Sequence, residues 1–287
     1  MLGLIGIIVT LVMVFGGYLA AGGNIMIIAK ALPFELAMIC GASVGAFLLS
    51  NDKHTVKTTL SDIKMVFKGR DKQKEDYTDL LNCLYEIFKT ARVSPLSIEN
   101  HIENPYQSDI FKKYPSVLSD KFAINMICDN MRMIGMNVDD VDQVQTLLEA
   151  ELAAKREETM HSAHALHVMA DGLPAIGIVA AVLGVIKTMG SIDQPPTVLG
   201  GMIGGALVGT FLGVFLSYCL VGPMSEKLST ILDQDHQYYE LIKNVFIGYL
   251  NKHQPITCVE MARKKVPEDF RPEFNQMEEV LKSLKTG

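Results

Sequence analysis

Apolar residues fall into two patterns along this chain. In the first they run almost unbroken: residues 1–29, 36–51, 172–186 and 194–225 contain no Asp, Glu, Lys or Arg. A helix needs about 20 mostly apolar residues to cross the hydrocarbon core of a bilayer. Gly3–Ala21 and Val198–Val221 meet that length. A third candidate, Gly172 to Ile192, holds one charge, Lys187, near its end, where a long side chain can snorkel to the headgroups. Leu36–Leu49 is short by itself, and the hairpin through Gly22–Pro33 is expected to supply a further turn. Four transmembrane helices in two hairpins is the simplest account. Ala20-Ala21 resemble a signal cleavage site, but the basic n-region is missing, so the first helix reads as a retained span.

In the second pattern apolar residues recur at helical spacing. Leu80, Leu81, Leu84, Ile87 and Phe88 form one such set, and Phe122, Ile124, Ile127, Met131 and Ile134 another. Breaks are expected at Pro95, Pro105, Pro115 and Gly135. Asn137, with Asp140 three residues on, resembles a helix start, and no Gly or Pro follows until after Ala170. That predicts a helix of about 30 residues, roughly 45 Å, running directly into the third span. The tail carries a further amphipathic set in Leu228, Ile231, Leu232, Leu241, Ile242, Val245 and Phe246. The expected fold is an all-α polytopic membrane protein. It has a transmembrane hairpin in 1–50, a large helical cytoplasmic domain in 51–170, a second hairpin in 171–223 and a helical cytoplasmic tail in 224–287.

Composition sharpens this. With 49% hydrophobic and 20% charged residues in 287, the chain is neither disordered nor a free cytosolic enzyme. Of 26 Lys plus Arg, 15 lie in residues 50–170 and 9 in 224–287. Lys53, Lys57, Lys64, Lys68 and Arg70 crowd the exit of the second span, whereas 191–197 has no basic residue. The positive-inside rule then puts both termini and the middle segment in the cytoplasm and both short connections outside. Cys40, Cys83, Cys128, Cys219 and Cys258 are scattered, with no C-x-x-C pair, so neither disulfides nor zinc is indicated. Both water-facing segments are slightly acidic, 15 basic against 19 acidic residues in the first, which argues against nucleic acid as a partner.

The spans offer little chemistry of their own. Gly201, Gly205, Gly209, Gly213 and Ser217 place a small residue at every fourth position of the fourth span, a ridge along which helix backbones can approach closely in lipid. The partner on that ridge is open: another span of this chain, or another subunit. Gly177, Ala181, Gly184 and Thr188 form a second small face. Pro174 and Pro223 stand at the inner ends of the last two spans, where helix punctuation is the plain reading. Ion paths in membranes usually use a carboxylate, His or Lys. Apart from Lys187 near the outer rim, no ionisable side chain except Cys40, Cys219 and Tyr218 sits well inside a predicted span; Asp171 is at the inner boundary and Glu35 at the outer one. On that reading a partner must supply the central titratable group for any ion flux. His161, His164 and His167 are three apart, so two could share a metal but three could not without strain; surface histidines are the alternative. No P-loop, H-E-x-x-H, G-x-S-x-G or dinucleotide fingerprint occurs, so nothing points to an enzyme or a cofactor.

Val14-Phe-Gly-Gly-Tyr-Leu19 followed by Gly22-Gly23, Ile102-Glu-Asn-Pro105, Leu173-Pro-Ala-Ile-Gly-Ile-Val-Ala-Ala181 and Val208-Gly-Thr-Phe-Leu-Gly213 resemble the bacterial flagellar motor stator A subunit, the MotA type. The resemblance covers nearly the whole chain. It implies five copies around a dimer of a B subunit that supplies the membrane aspartate. By the same resemblance Pro174 and Pro223 couple ion passage to movement and Thr210 faces the ion path. Ala181 stands where sodium-driven relatives tend to have threonine, which implies proton drive. Arg92 and Glu99 correspond to charges that engage the rotor's switch-complex protein, across a stretch slightly shorter than the family's pattern. An ExbB/TolQ-type energiser of outer-membrane processes is the nearest alternative, and a membrane scaffold without ion flux is one of another class.

Overall fold

The computed structural model describes residues 2–70, 72–93, 95–136 and 140–274. Among them there are helices and no strand, and the chain divides into two compact units. One comprises the residues up to Gly69 with Thr159–Leu232; the other comprises Arg70–Glu158 with the residues from Asp233 onward.

The first unit is built from α1 (Leu2–Ala20), α2 (Ile25–Ser50), α3 (Lys53–Lys68), the later part of α9 (Val141–Met189), α10 (Pro196–Leu216) and the start of α11 (Gly222–Leu250). Among the described residues, four helical runs are long and apolar enough to cross a membrane. The second differs from its sequence expectation. Asn24 caps α2 by accepting a hydrogen bond from the Met26 amide on its side chain, so the helix starts at Ile25 and runs 26 residues through Pro33. Lys30 and Glu35 interrupt the apolar run but not the helix. A proline inside a membrane helix removes one backbone bond that neighbouring groups can replace. Gly22, at φ 82°, turns the chain between α1 and α2. Asp52 then caps α3 by accepting from the Thr55 amide.

Neither proline expected as punctuation ends a helix. α9 runs 49 residues straight through Pro174. Ahead of Pro223, residues Ser217–Val221 form a π-helical turn in which the Gly222 amide donates to the Ser217 carbonyl, five residues back. A proline ring ordinarily clashes with the carbonyl four residues earlier; the wider turn relieves that clash and helix continues as α11.

The second unit is built around α4 (Lys74–Val93), whose residues Leu81–Phe88 are all buried. It is packed by α5 (Pro95–Glu103), α6 (Asp109–Lys112), α7 (Pro115–Ser119), α8 (Lys121–Gly135), the first part of α9, the later part of α11 and α12 (Pro255–Arg263). Pro95 and Pro115 open α5 and α7 at their first positions, where a missing amide costs nothing. Asp140 accepts from the Gln143 amide at the start of α9; Asn137 lies outside the described residues. The core is aromatic and aliphatic: Phe88 meets Phe246 edge-on at 4.9 Å between ring centres, and Tyr77 meets Tyr238 at 5.5 Å. Two acids are built into it. Glu86 accepts from the Tyr114 hydroxyl at 2.7 Å and the Lys113 ammonium at 2.8 Å. Asp120 accepts from Lys72, from the Tyr239 hydroxyl and from the Ala123 amide.

Candidate functional site

The contact between α9 and α10 is made by missing side chains. A Cβ on Gly213 would stand 2.7 Å from both the Gly177 Cα and the Leu173 carbonyl oxygen; one on Gly177 would stand 2.8 Å from the Gly213 Cα. A Cβ on Gly184 would reach within 2.7 Å of the Ala206 methyl. Gly209 is boxed in as well, its Cβ position lying 3.0 Å from the Ala181 amide nitrogen. The four-residue ridge of α10 therefore divides. Gly209 and Gly213 face α9, Gly205 faces Ala31 of α2, and Gly201 has nothing within 4 Å.

Ala181 is 9% exposed and Thr210, next to Gly209, is half-buried, so the two candidate ion-path residues stand at one seam of the first unit. Pro174 is half-buried in the middle of α9, and Pro223 is exposed. In the second unit Arg92 and Glu99 are both exposed, on α4 and α5. Arg92 donates to the His253 carbonyl at 3.3 Å, while Glu99 lines a cleft of about 420 Å³ with Ala91, Ile98, Ile102 and Met131. The Ile102–Pro105 motif anchors this region. Ile102 is buried, its carbonyl accepts from Arg132, and Glu103 pairs with the same guanidinium at 2.6 Å.

One group is placed where the sequence did not put it. Glu35, read as lying at a span boundary, sits about 15 Å into α2 at 1.5 Å per residue. It is 6% exposed, and its Oε2 has no hydrogen-bond partner and lies 2.6 Å from the Cβ position of Gly209. This chain therefore holds a carboxyl group inside its own membrane unit. The helix-start signal at Asn24 could have revealed it, because a helix beginning there puts Glu35 well inside.

Elsewhere the titratable groups are structural. Burial, then the bond to Glu86, pushes the Tyr114 hydroxyl well up. Burial pushes the thiols of Cys128 up to about 12 and of Cys258 up to about 11, leaving them unreactive at neutral pH. His161, His164 and His167 are exposed, and His167 approaches Asp171 at 3.5 Å. Among the described residues no three His, Cys, Asp or Glu side chains gather as a metal site would require.

Four apolar runs, backbone-to-backbone helix contact and a carboxyl group buried among them define a multi-pass helical membrane protein. Family comparison agrees. Residues 4–95 match the motility protein A N-terminal family and residues 119–241 the MotA/TolQ/ExbB proton channel family. Motility protein A of Escherichia coli (strain K12) is 35% identical over 99% of this chain and 96% of its own. Chemotaxis protein LafT of Vibrio parahaemolyticus is 34% identical over 96% of this chain and 97% of its own. The fold is shared with the C. jejuni MotAB structure (TM-score 0.70, 19% identity, 93% of this chain and 96% of that one). It is likewise shared with the Bacillus subtilis MotAB stator complex (TM-score 0.67, 20% identity, 92% and 95%). The chain belongs to the motility protein A family, the A-type stator subunits of the flagellar motor, which are proton-channel subunits and not enzymes.

Proposed function

We propose that this chain is the torque-generating half of a proton-driven stator in the bacterial inner membrane. Five copies surround a dimer of a B-type subunit that carries the membrane aspartate, and lipid covers the remaining apolar faces. Both termini and residues 51–170 are cytoplasmic. Protons pass Ala181 and Thr210; Pro174 and Pro223 transmit that passage to the helices; Arg92 and Glu99 push on the rotor's switch-complex protein. The glycines of α10 pack the spans.

The observation that carries the reading is the continuity of α9. One helix of 49 residues carries both Ala181 and the second unit's core residues Val144, Leu148 and Leu152, so the two sets belong to a single element. Exposed charges such as Arg92 and Glu99 contribute roughly 0–1 kcal/mol per contact, which suits a contact made and broken at every step. Deleting the gene tests the reading: filaments should assemble but not turn, and restored cells should swim at unchanged speed without external sodium. Normal swimming with a failing envelope would instead place the chain with the ExbB/TolQ energisers.

A further inference from the structure

We infer that the cleft between α2, α9 and α10 is a proton access site, with Glu35 at its inner end as a proton-binding group that this chain supplies itself. The inference rests on the proton-conducting reading above and adds a site to it. The cleft holds about 660 Å³. Its mouth is formed where three helices meet the short outer connections: Asn24 and Met26 at the start of α2, Lys187 and Thr188 at the end of α9, and Val198 at the start of α10. It extends along α2 as far as Glu35 and Met38, some 15–20 Å from the first turn. The walls between are mostly apolar.

Glu35 ends this path in an unusual state for a buried acid. Glu86 and Asp120 of the second unit each accept two or more hydrogen bonds, whereas the Oε2 of Glu35 is buried and accepts none. Buried polar side chains are nearly always satisfied, and an exception calls for a reason. Here the oxygen lies 2.6 Å from the spot a Cβ on Gly209 would occupy, a spot that is also 3.0 Å from the Ala181 amide nitrogen. The carboxyl group therefore stands directly behind the seam that carries Ala181 and Thr210. Around it α10 offers Gly209 and α9 offers Ala180 and Ala181, none of them ionisable; the charged groups sharing its cleft are Lys30 of α2 and Lys187 of α9. Two ammonium groups in one cleft disfavour a metal cation there, and a carboxyl oxygen with no fixed donor is free to accept a proton.

The transfer needs no other reactant. A proton carried by water from the outer side forms an O–H bond with the Glu35 carboxylate. That bond then breaks as a water molecule at the seam accepts the proton, returning the carboxylate. One proton is relocated and no other bond changes.

The test uses the complete stator in cells, with Glu35→Gln, which keeps the volume and removes the proton-binding function, and Glu35→Asp, which keeps it. Proton influx and swimming speed are measured against external pH, and co-purification of the partner subunit checks assembly. A positioned proton-transfer group typically contributes a hundredfold or more, so Glu35→Gln should lower influx by about tenfold at the least, with Glu35→Asp partly rescuing it. Glu35→Gln with wild-type influx and speed at every pH would reduce Glu35 to packing and overturn the inference. If Glu35→Gln does not assemble, Met202→Cys in a Cys40→Ser background decides. Modification by a small membrane-impermeant thiol reagent added outside supports an open cleft, and no modification overturns it. Absence of proton influx in the wild-type stator would be a failure of the proton reading itself, and so is distinguishable from a failure at Glu35.

Discussion

The two units solve the same packing problem with opposite materials. In the second, helices are held by large side chains: Tyr77, Phe88, Phe111, Tyr238 and Phe246 are among its fully buried residues. In the first, α9 and α10 are held by the absence of side chains at Gly177, Gly184, Gly209 and Gly213, while Ile178, Val179, Val182 and Ile186 point outward. The difference follows from the solvent. Water drives large apolar groups inward at about 25 cal/mol per Å² buried. Lipid is as apolar as leucine and supplies no such force, so close backbone approach and dispersion must do the holding. Large side chains are thus the main adhesive of one unit and glycine that of the other.

Four substitutions test that contrast, the largest effect first. Phe88→Ala should destabilise the second unit by about 3–5 kcal/mol through lost burial and a cavity, read by chemical denaturation of the full chain in detergent. Gly213→Ala should cost about 3 kcal/mol by overpacking, because the clashing partners are backbone atoms that have little room to yield. If instead it is silent in the same assay, the glycine seam is not a packing surface and the comparison collapses. Asp120→Asn should cost about 2 kcal/mol at neutral pH, as expected for hydrogen bonds to a charged group. Burial alone would raise the Asp120 carboxyl; its bonds from Lys72, Ala123 and Tyr239 outweigh that and hold it below the usual carboxylate range. Its stabilisation is therefore complete above the ordinary aspartate value, about 3.9, and is lost as pH falls through the depressed folded value. The gap between wild type and Asp120→Asn should close there. Arg92→Glu should shift stability by less than about 0.5 kcal/mol, as exposed substitutions usually do, yet impair torque in a tethered-cell assay. A compensating charge on the rotor should partly restore rotation, and undiminished rotation in the single variant would remove Arg92 from the mechanism.

Much of this was legible in the sequence. Charge-free runs mark the spans, and the Gly- and Pro-free stretch after Asp140 announces α9. The rest was hidden for identifiable reasons. Lys30 and Glu35 break the hydropathy of α2, so the span looked short and its acid looked peripheral. Leu80, Leu81, Leu84, Ile87 and Phe88 mark an apolar helical set, but the spacing does not show that Asn82 and Glu86 of α4 are buried as well, with Glu86 satisfied by residues about 28 positions away. The glycine ridge looked like one surface. Every fourth residue advances about 40° around a helix of 3.6 residues per turn, so Gly201 and Gly213 are some 120° apart and meet different neighbours. Likewise the tail reads as one amphipathic stretch, but residues up to Leu232 pack in the first unit and those from Asp233 in the second.

The π turn at Ser217–Val221 acts as a phase setter. One extra residue in a helix rotates the residues after it by about 100°, and Leu228 and Leu232, which cluster with Ala163 and Leu166 of α9, lie downstream of that rotation. The Gly222 position admits no side chain without striking the Ser217 carbonyl, 2.8 Å away, so the setting is locked in place. Removing a single residue there would keep Leu228 and Leu232 intact and turn both away from Ala163 and Leu166.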